Sequence, residues 1–221
     1  MIRKETLDFL RKLGKNNNRD WFEKNKALYL AAKEDVEKSI DTMITGIRTF
    51  DKRIGSDLTA KKCMFRIYRD VRFSKDKRPY KTNMGASINP GGNKMAPAPG
   101  YYIHIEPGNA FVAGGMWMPP APELAKIRQE IDYNFPEFKK IVSDKNFKKY
   151  FGGLNQDDKL STTPKGYAKD HPAIEFLRLK SFIVVSEIPE KDVMSKNFVK
   201  SATAAMKAML PLMNFLQRAI D

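Results

Sequence analysis

Met64-Phe65-Arg66-Ile67-Tyr68-Arg69-Asp70-Val71-Arg72-Phe73 is the stretch where the chain changes its pattern. Upstream of it, apolar residues recur at intervals of three and four. Within it, Phe65, Ile67, Val71 and Phe73 alternate with Arg66, Tyr68, Asp70 and Arg72. A period of two predicts a strand over 64–73 with one apolar face and one charged face. Arg69 breaks the pattern, because it falls among the apolar residues, where a cation is costly unless paired or at a rim. Asp70 points to the opposite face, so the partner of Arg69 lies elsewhere or the strand bulges there.

Toward the N-terminus the chain reads as helical. Leu7, Leu10 and Leu13 line one face of a helix over 4–13, with Phe9 beside them and Gly14 as its stop. Asn16-Asn17-Asn18 is turn chemistry, and Asn17 or Asn18 can cap the next helix, with Asp20 and Glu23 in its positive first turn. From Arg19 to about Phe50 a helical period runs through Trp21, Phe22, Leu28, Tyr29, Val36, Ile40, Met43, Ile44 and Ile47.

Toward the C-terminus, 74–79 is a charged loop, and Asn89 to Gly100, with Pro90, Pro97, Pro99 and Gly91-Gly92, is a loop or hairpin connection. Gly91-Gly92-Asn93-Lys94 leads into no helix and reads as a flexible loop. Tyr101 to Glu106 alternates again, Pro107-Gly108-Asn109 turns, and Ala110 to Met118 forms a third strand. Gly114-Gly115 within it allows a bulge or a close backbone approach. Helical periods return after Pro119-Pro120, and 147–170 is mixed. Pro172 to Lys180 is a short helix, opened by Asp170-His171-Pro172. Phe182 to Ile188 is a further strand. A long Met-rich helix fills 189–220, with Pro211 inside it.

Strands joined by turns in the middle, with helices on either side, predict an α+β fold: an antiparallel meander of about four or more strands packed with N- and C-terminal helices. No linker separates two halves. The expectation is a single domain over 1–221: helical to about 55, a sheet core over about 60–118, and helical over about 119–221.

The chain has 221 residues, of which 40 are Lys or Arg and 26 Asp or Glu, a formal net charge of +14. With 42% hydrophobic and 30% charged residues it has enough apolar material for a core, which excludes a disordered chain. Cys63 is the single cysteine, so no internal disulfide forms, and a reducing cytoplasm is expected. The longest apolar runs are too short to cross a bilayer, the start carries no signal-peptide stretch, and no membrane partner is expected. Residues 61–94 alone carry +8 of the charge; 1–60 and 95–221 carry +3 each. The excess is therefore local, in a stretch rich in residues that pack.

That stretch holds the candidate site. Arg66, Arg69 and Arg72 offer planar forks for phosphate or carboxylate, Lys77 and Lys81 add mobile point charges, and Tyr68 and Tyr80 can hydrogen-bond or stack. The alternative is a sheet face on which Arg66, Asp70 and Arg72 pair internally. His104 shares a face with Tyr102 and Glu106. With Asp70 it is the candidate acid–base pair, against a plain hydrogen-bonded surface His. Two His and one Cys are poor stock for a metal site, and none is expected. Neither G-x-x-x-x-G-K-[ST], G-x-G-x-x-G nor G-x-S-x-G occurs, and no cofactor is expected. Cys63 reads as core filler, Trp117 as core or pocket lining, and Arg19, poorly placed at a helix start, as a residue with a pairing or ligand role.

The run FRIYRDVRFSKDKRPYK over Phe65 to Lys81 resembles the signature of the family called domain of unknown function 2461. Asn16 to Phe22, Gly100 to Gly108, Gly114 to Pro119, and Pro164-Lys165-Gly166-Tyr167 with Asp170-His171-Pro172 are similar to its other blocks. Met116 stands where a Leu-like residue is expected. The resemblance covers nearly the whole chain, supports one continuous domain and implies no activity.

Three functions fit the residues. The first is a cytoplasmic protein with a basic anion-binding pocket on a sheet face, possible as an enzyme on a phosphorylated or carboxylated small molecule. The second is a nucleic-acid-binding module gripping phosphates and bases with the same Arg, Lys and Tyr side chains. The third is a structural or interaction protein with an internally salt-bridged sheet.

Overall fold

The computed structural model describes residues 1–92 and 97–221. Four strands, β1 (Met84–Ile88), β2 (Gly100–Ile105), β3 (Ala110–Met116) and β4 (Phe182–Ile188), form one antiparallel sheet in the order β1-β2-β3-β4. Ahead of it stand α1 (Lys4–Lys15), α2 (Arg19–Lys24), α3 (Lys26–Arg48) and α4 (Ala60–Cys63). Between β3 and β4 lie α5 (Ala121–Tyr133), α6 (Phe135–Ser143), α7 (Lys145–Phe151) and α8 (Ile174–Leu177). After β4 come α9 (Glu190–Val193) and α10 (Phe198–Ile220). The class is α+β, as the patterning predicts. Among the described residues no helix is long and apolar enough to cross a membrane.

By backbone contacts the chain divides into two compact units: Met1–Lys94, Tyr102–Val112 and Glu187–Ala204 form unit 1, and Met95–Tyr101, Ala113–Ser186 and Ala205–Asp221 form unit 2.

In unit 1, α1 packs on α3, and α3 packs on β1. Leu7, Leu10 and Leu13 of α1 and Val36, Ile40, Met43, Ile44 and Ile47 of α3 are all buried. Each such side chain contributes about 1.5–3 kcal/mol when fully removed from water. Leu28, counted in the apolar period, is instead half exposed. The helix expected over 19–50 is interrupted at Asn25, whose side chain donates to the Trp21 carbonyl and ends α2. Each of the three consecutive asparagines has its own backbone task. Asn16 donates to the Lys12 carbonyl at the end of α1, Asn18 accepts the Trp21 N–H as the N-cap of α2, and Asn17 bonds to Tyr80.

The regular strand expected over 64–73 does not form. Residues 64–69 run antiparallel to 79–86 but pair only at single positions, Met64 with Ala86 and Tyr68 with Tyr80. Backbone bonds join Phe65 N–H to Gly85 O (2.9 Å), Lys81 N–H to Ile67 O (2.8 Å) and Arg69 N–H to Pro79 O (2.9 Å). Beyond Arg69 the aspartates take over. Asp70 accepts the Arg72 N–H and Asp76 the Arg78 N–H, each two residues on, and such local turns compete with a ladder. The regular strand that borders this run is β1, which the apolar pattern did not announce.

In unit 2, Ile127 and Ile131 of α5, Phe138 of α6, Phe147 of α7 and Met209, Met213, Phe215 and Leu216 of α10 are buried. Phe138 meets Phe176 edge-on and lies against Phe215, each at 5.1 Å between ring centroids. Helix α7 occupies part of the stretch read as mixed. The helix expected over 189–220 is two, α9 and α10. Gly115 has φ +122°, and a Cβ there would stand 2.0 Å from the Phe182 carbonyl oxygen. Only glycine lets the chain pass so close to the start of β4. Two residues on, Trp117 is 71% exposed, so it is not a core residue. The neighbouring Met118 is held at φ +45° while its N–H donates to the buried Ser181 hydroxyl at 2.9 Å. On the far side of β4, the Asn155 N–H donates to the Ile183 carbonyl at 2.9 Å. The loop read over Asn93 and Lys94 lies outside the described residues.

Candidate functional site

Strand β2 alternates as the sequence predicts. Tyr101, Ile103 and Ile105 are buried on one face, and Tyr102, His104 and, just past the strand, Glu106 share the other. Gly85 of β1 has no side chain there because a Cβ would meet the Tyr102 hydroxyl at 2.6 Å. The phenol therefore lies across β1.

His104 joins the other two side chains. Its Nδ1 lies 3.0 Å from the Tyr102 hydroxyl and 3.2 Å from Asn83 Nδ2, and its Nε2 lies 3.1 Å from Glu106 Oε2. The Asn83 amide nitrogen can only donate, so Nδ1 accepts and Nε2–H donates to Glu106. Thr82 Oγ1 (2.6 Å) and Asn109 Nδ2 (3.2 Å) donate to the same carboxylate. Phe111 of β3 stacks flat on the imidazole, 4.7 Å between ring centroids. Burial pushes the Glu106 carboxyl up, but the bonds from Thr82, His104 and Asn109 outweigh it, and the group lies below its ordinary value. Burial, helped by the Glu106 charge, pushes the Tyr102 phenol up.

The remaining candidate residues sort into three groups. Lys81 borders this cluster, and Arg66 is tied to Lys81 through its backbone carbonyl. Lys81 Nζ donates to the Arg66 carbonyl (3.1 Å) and stands 5.3 Å over the Phe65 ring, which packs 6.3 Å from the Tyr102 ring. Arg66 is exposed, and its guanidinium forms no ion pair among the described residues.

Arg69, Arg72 and Lys77 belong to the hairpin tip. Arg69 resolves its misplacement by bonding to Asp76 Oδ2 at 2.6 Å, an oxygen it shares with Arg78, and to the Arg78 carbonyl. Arg72 forks onto Asp70 through Nε (3.0 Å) and Nη2 (2.7 Å), and these bonds hold the Asp70 carboxyl down to about 2. Hydrogen bonds from Arg78, then Arg69, hold Asp76 well below the usual carboxylate range. Lys77 donates to the Val71 carbonyl.

The two tyrosines form the third group. Tyr80 is buried, stacked 4.0 Å from Phe22, and Tyr68, half exposed, packs against both. Asp70 is therefore committed to Arg72, and the carboxylate on His104 is Glu106. Asn83, Thr82 and Phe111 complete the cluster. No local signal singles them out, because each meets β2 from another segment. Arg19 is exposed at the start of α2 and makes no ion pair among the described residues.

A phenol, an imidazole in a set tautomer and a carboxylate in series form a path for a proton: the imidazole can accept from Tyr102 while Glu106 stabilises the resulting cation. Among the described residues no three His, Cys, Asp or Glu side chains converge as a metal site. The molecule is thus an α+β protein with a half-buried Tyr–His–Glu series on its sheet. The family of conserved hypothetical proteins designated DUF2461 matches residues 5–215, and the chain belongs to it. No curated protein and no solved structure matches the chain.

Proposed function

We propose that the chain binds a small carboxylated or phosphorylated molecule on the sheet face of unit 1 and transfers a proton to or from it. The observation that supports this is His104, hydrogen-bonded to Tyr102 on one nitrogen and Glu106 on the other. In this reading Tyr102 touches the ligand, and its oxygen takes a proton from the ligand as its own O–H proton passes to His104 Nδ1. His104 and Glu106 position it and carry its proton, and Lys81 and Arg66 attract the anionic group. Arg69 and Arg72 are engaged by aspartates and take no part. The reading places the protein in the cytoplasm, supported by its single cysteine.

The test is a panel of phosphorylated and carboxylated small molecules followed by mass spectrometry. Conversion of one panel member by the wild type is expected. Tyr102→Phe should abolish conversion while keeping binding, and Arg66→Ala with Lys81→Ala should weaken binding. A panel with neither binding nor conversion overturns the proposal.

A second reading has its own support. Phe73 is 96% exposed at the hairpin tip, with the Arg72 guanidinium 5.8 Å from its ring centre. An exposed ring among Arg72, Lys75, Lys77 and Arg78 suits stacking on a nucleobase with phosphate contacts alongside. Binding of single-stranded oligonucleotides that weakens with salt and is lost in Phe73→Ala would favour it.

A further inference from the structure

Unit 2 carries a polar cluster that the reading above leaves unused. Arg128 and Asp132 stand one turn apart on α5, a spacing that usually lets such residues pair. Here they do not. Asp132 Oδ1 takes the His171 Nε2 at 2.9 Å, and His171 Nδ1 accepts the Ala173 N–H at 3.1 Å. The backbone bond fixes the tautomer, so Nε2–H is directed to Asp132. Tyr167 packs edge-on against the same imidazole, with ring centroids 6.1 Å apart. Tyr167 and His171 belong to the Pro164–Tyr167 and Asp170–Pro172 blocks singled out in the sequence.

Arg128 is the residue left over. It is half-buried. Its Nη2 donates to the Leu179 carbonyl at 3.1 Å, but its Nε is shut off from the surface and has no hydrogen-bond partner. No carboxylate pairs with it among the described residues. A buried guanidinium N–H without an acceptor is destabilising, and such a group calls for an explanation. Burial draws the guanidinium below its ordinary value, and the opposing attraction comes from Tyr167. The Tyr167 hydroxyl is not shut off from the surface and makes no hydrogen bond among the described residues, so it is free to donate to a ligand.

The structure assigns to this cluster a binding site for the oxyanion of a small molecule, a carboxylate or a phosphate, held by Arg128 and Tyr167. The planar guanidinium fork matches either group. His171 holds the Asp132 carboxylate on its own ring, which leaves Arg128 without a carboxylate partner. The Leu179 carbonyl anchors the guanidinium through Nη2.

The test uses the full chain and two probes, sodium acetate and sodium phosphate, titrated at constant ionic strength while the arginine Nε–H signals are followed by NMR. The Arg128 signal is expected to shift and saturate. Arg128→Lys should weaken binding about tenfold, since a point charge replaces the fork. Arg128→Met should abolish it, and Tyr167→Phe should weaken it. Arg66→Ala should leave it unchanged, which separates this site from the one proposed on the sheet. Saturation by acetate alone supports a carboxylate site, and by phosphate alone a phosphate site. An Arg128 signal unmoved by either anion overturns the assignment, as does wild-type affinity in Arg128→Lys and Tyr167→Phe. Should Arg128→Met fail to fold, those two variants decide the matter.

Discussion

Asn17 and Tyr80 exchange two hydrogen bonds: the Asn17 amide donates to the Tyr80 carbonyl at 3.0 Å, and the Tyr80 N–H donates to the Asn17 amide oxygen at 3.0 Å. One side chain thus stands in for a neighbouring strand at the residue whose ring stacks on Phe22. Asn17→Ala leaves a donor and an acceptor without partners and should cost about 2–3 kcal/mol. Asn17→Asp keeps the acceptor and should cost about half as much. Urea denaturation of both variants checks the ranking.

Gly115 tests the close approach of β3 to β4. A methyl at that position collides with the Phe182 backbone and is strained at the positive φ as well. Gly115→Ala should destabilise by about 3 kcal/mol or more, or prevent folding. An alanine variant with wild-type thermal stability would contradict the account of this turn.

The pH dependence follows from Glu106. Its carboxyl lies below the ordinary value in the folded chain. The stability it contributes is present above the ordinary carboxylate range and is lost as pH falls through the lowered folded value. Glu106→Gln should therefore be less stable than wild type at pH 7, with the gap narrowing in acid. Denaturation midpoints measured from pH 7 down to pH 3 show whether the two curves converge.

Asp76 ties Arg69 and Arg78 together. These groups reach solvent, so Asp76→Ala should change global stability little. The hairpin itself should loosen, and limited trypsin digestion should cut faster after Arg72, Lys75 and Lys77. Asp70, held down to about 2, should keep Arg72 bound through mild acid.

Much of the fold is legible from local pattern. Leu7, Leu10 and Leu13 mark α1, and Tyr101 through Ile105 mark β2, because burial of one face imposes its period on the sequence. Strand β1 is different. Its outward residues are Gly85 and Ser87, and Gly85 is small because Tyr102, on another strand, lies over it. A residue chosen by a distant contact leaves no periodic trace. The run 64–73 errs in the other direction: its alternation is genuine as far as the Tyr68–Tyr80 pairing, and then Asp70 and Asp76 capture backbone N–H groups and turn the chain. At the candidate site, Tyr102, His104 and Glu106 are legible as a period of two. The residues offer Asp70 as the partner of His104, and the structure puts Glu106 there instead, because the choice between carboxylates depends on register.

The single-position pairing beside β1 has a consequence for how copies of the chain meet. β1 and β4 are the end strands of the sheet. The Phe65 N–H occupies the Gly85 carbonyl on β1, and the Asn155 N–H occupies the Ile183 carbonyl on β4. On each rim, an irregular length of the protein's own backbone takes up groups that another molecule would need to extend the sheet. At β1 that length continues into Pro79 and the charged tip. Irregular backbone, proline and like charge all obstruct strand addition. The sheet's borders are thereby guarded against the stacking that leads to fibrils, and Asn17→Ala, by loosening the Tyr80 segment, should make the protein aggregate sooner on heating.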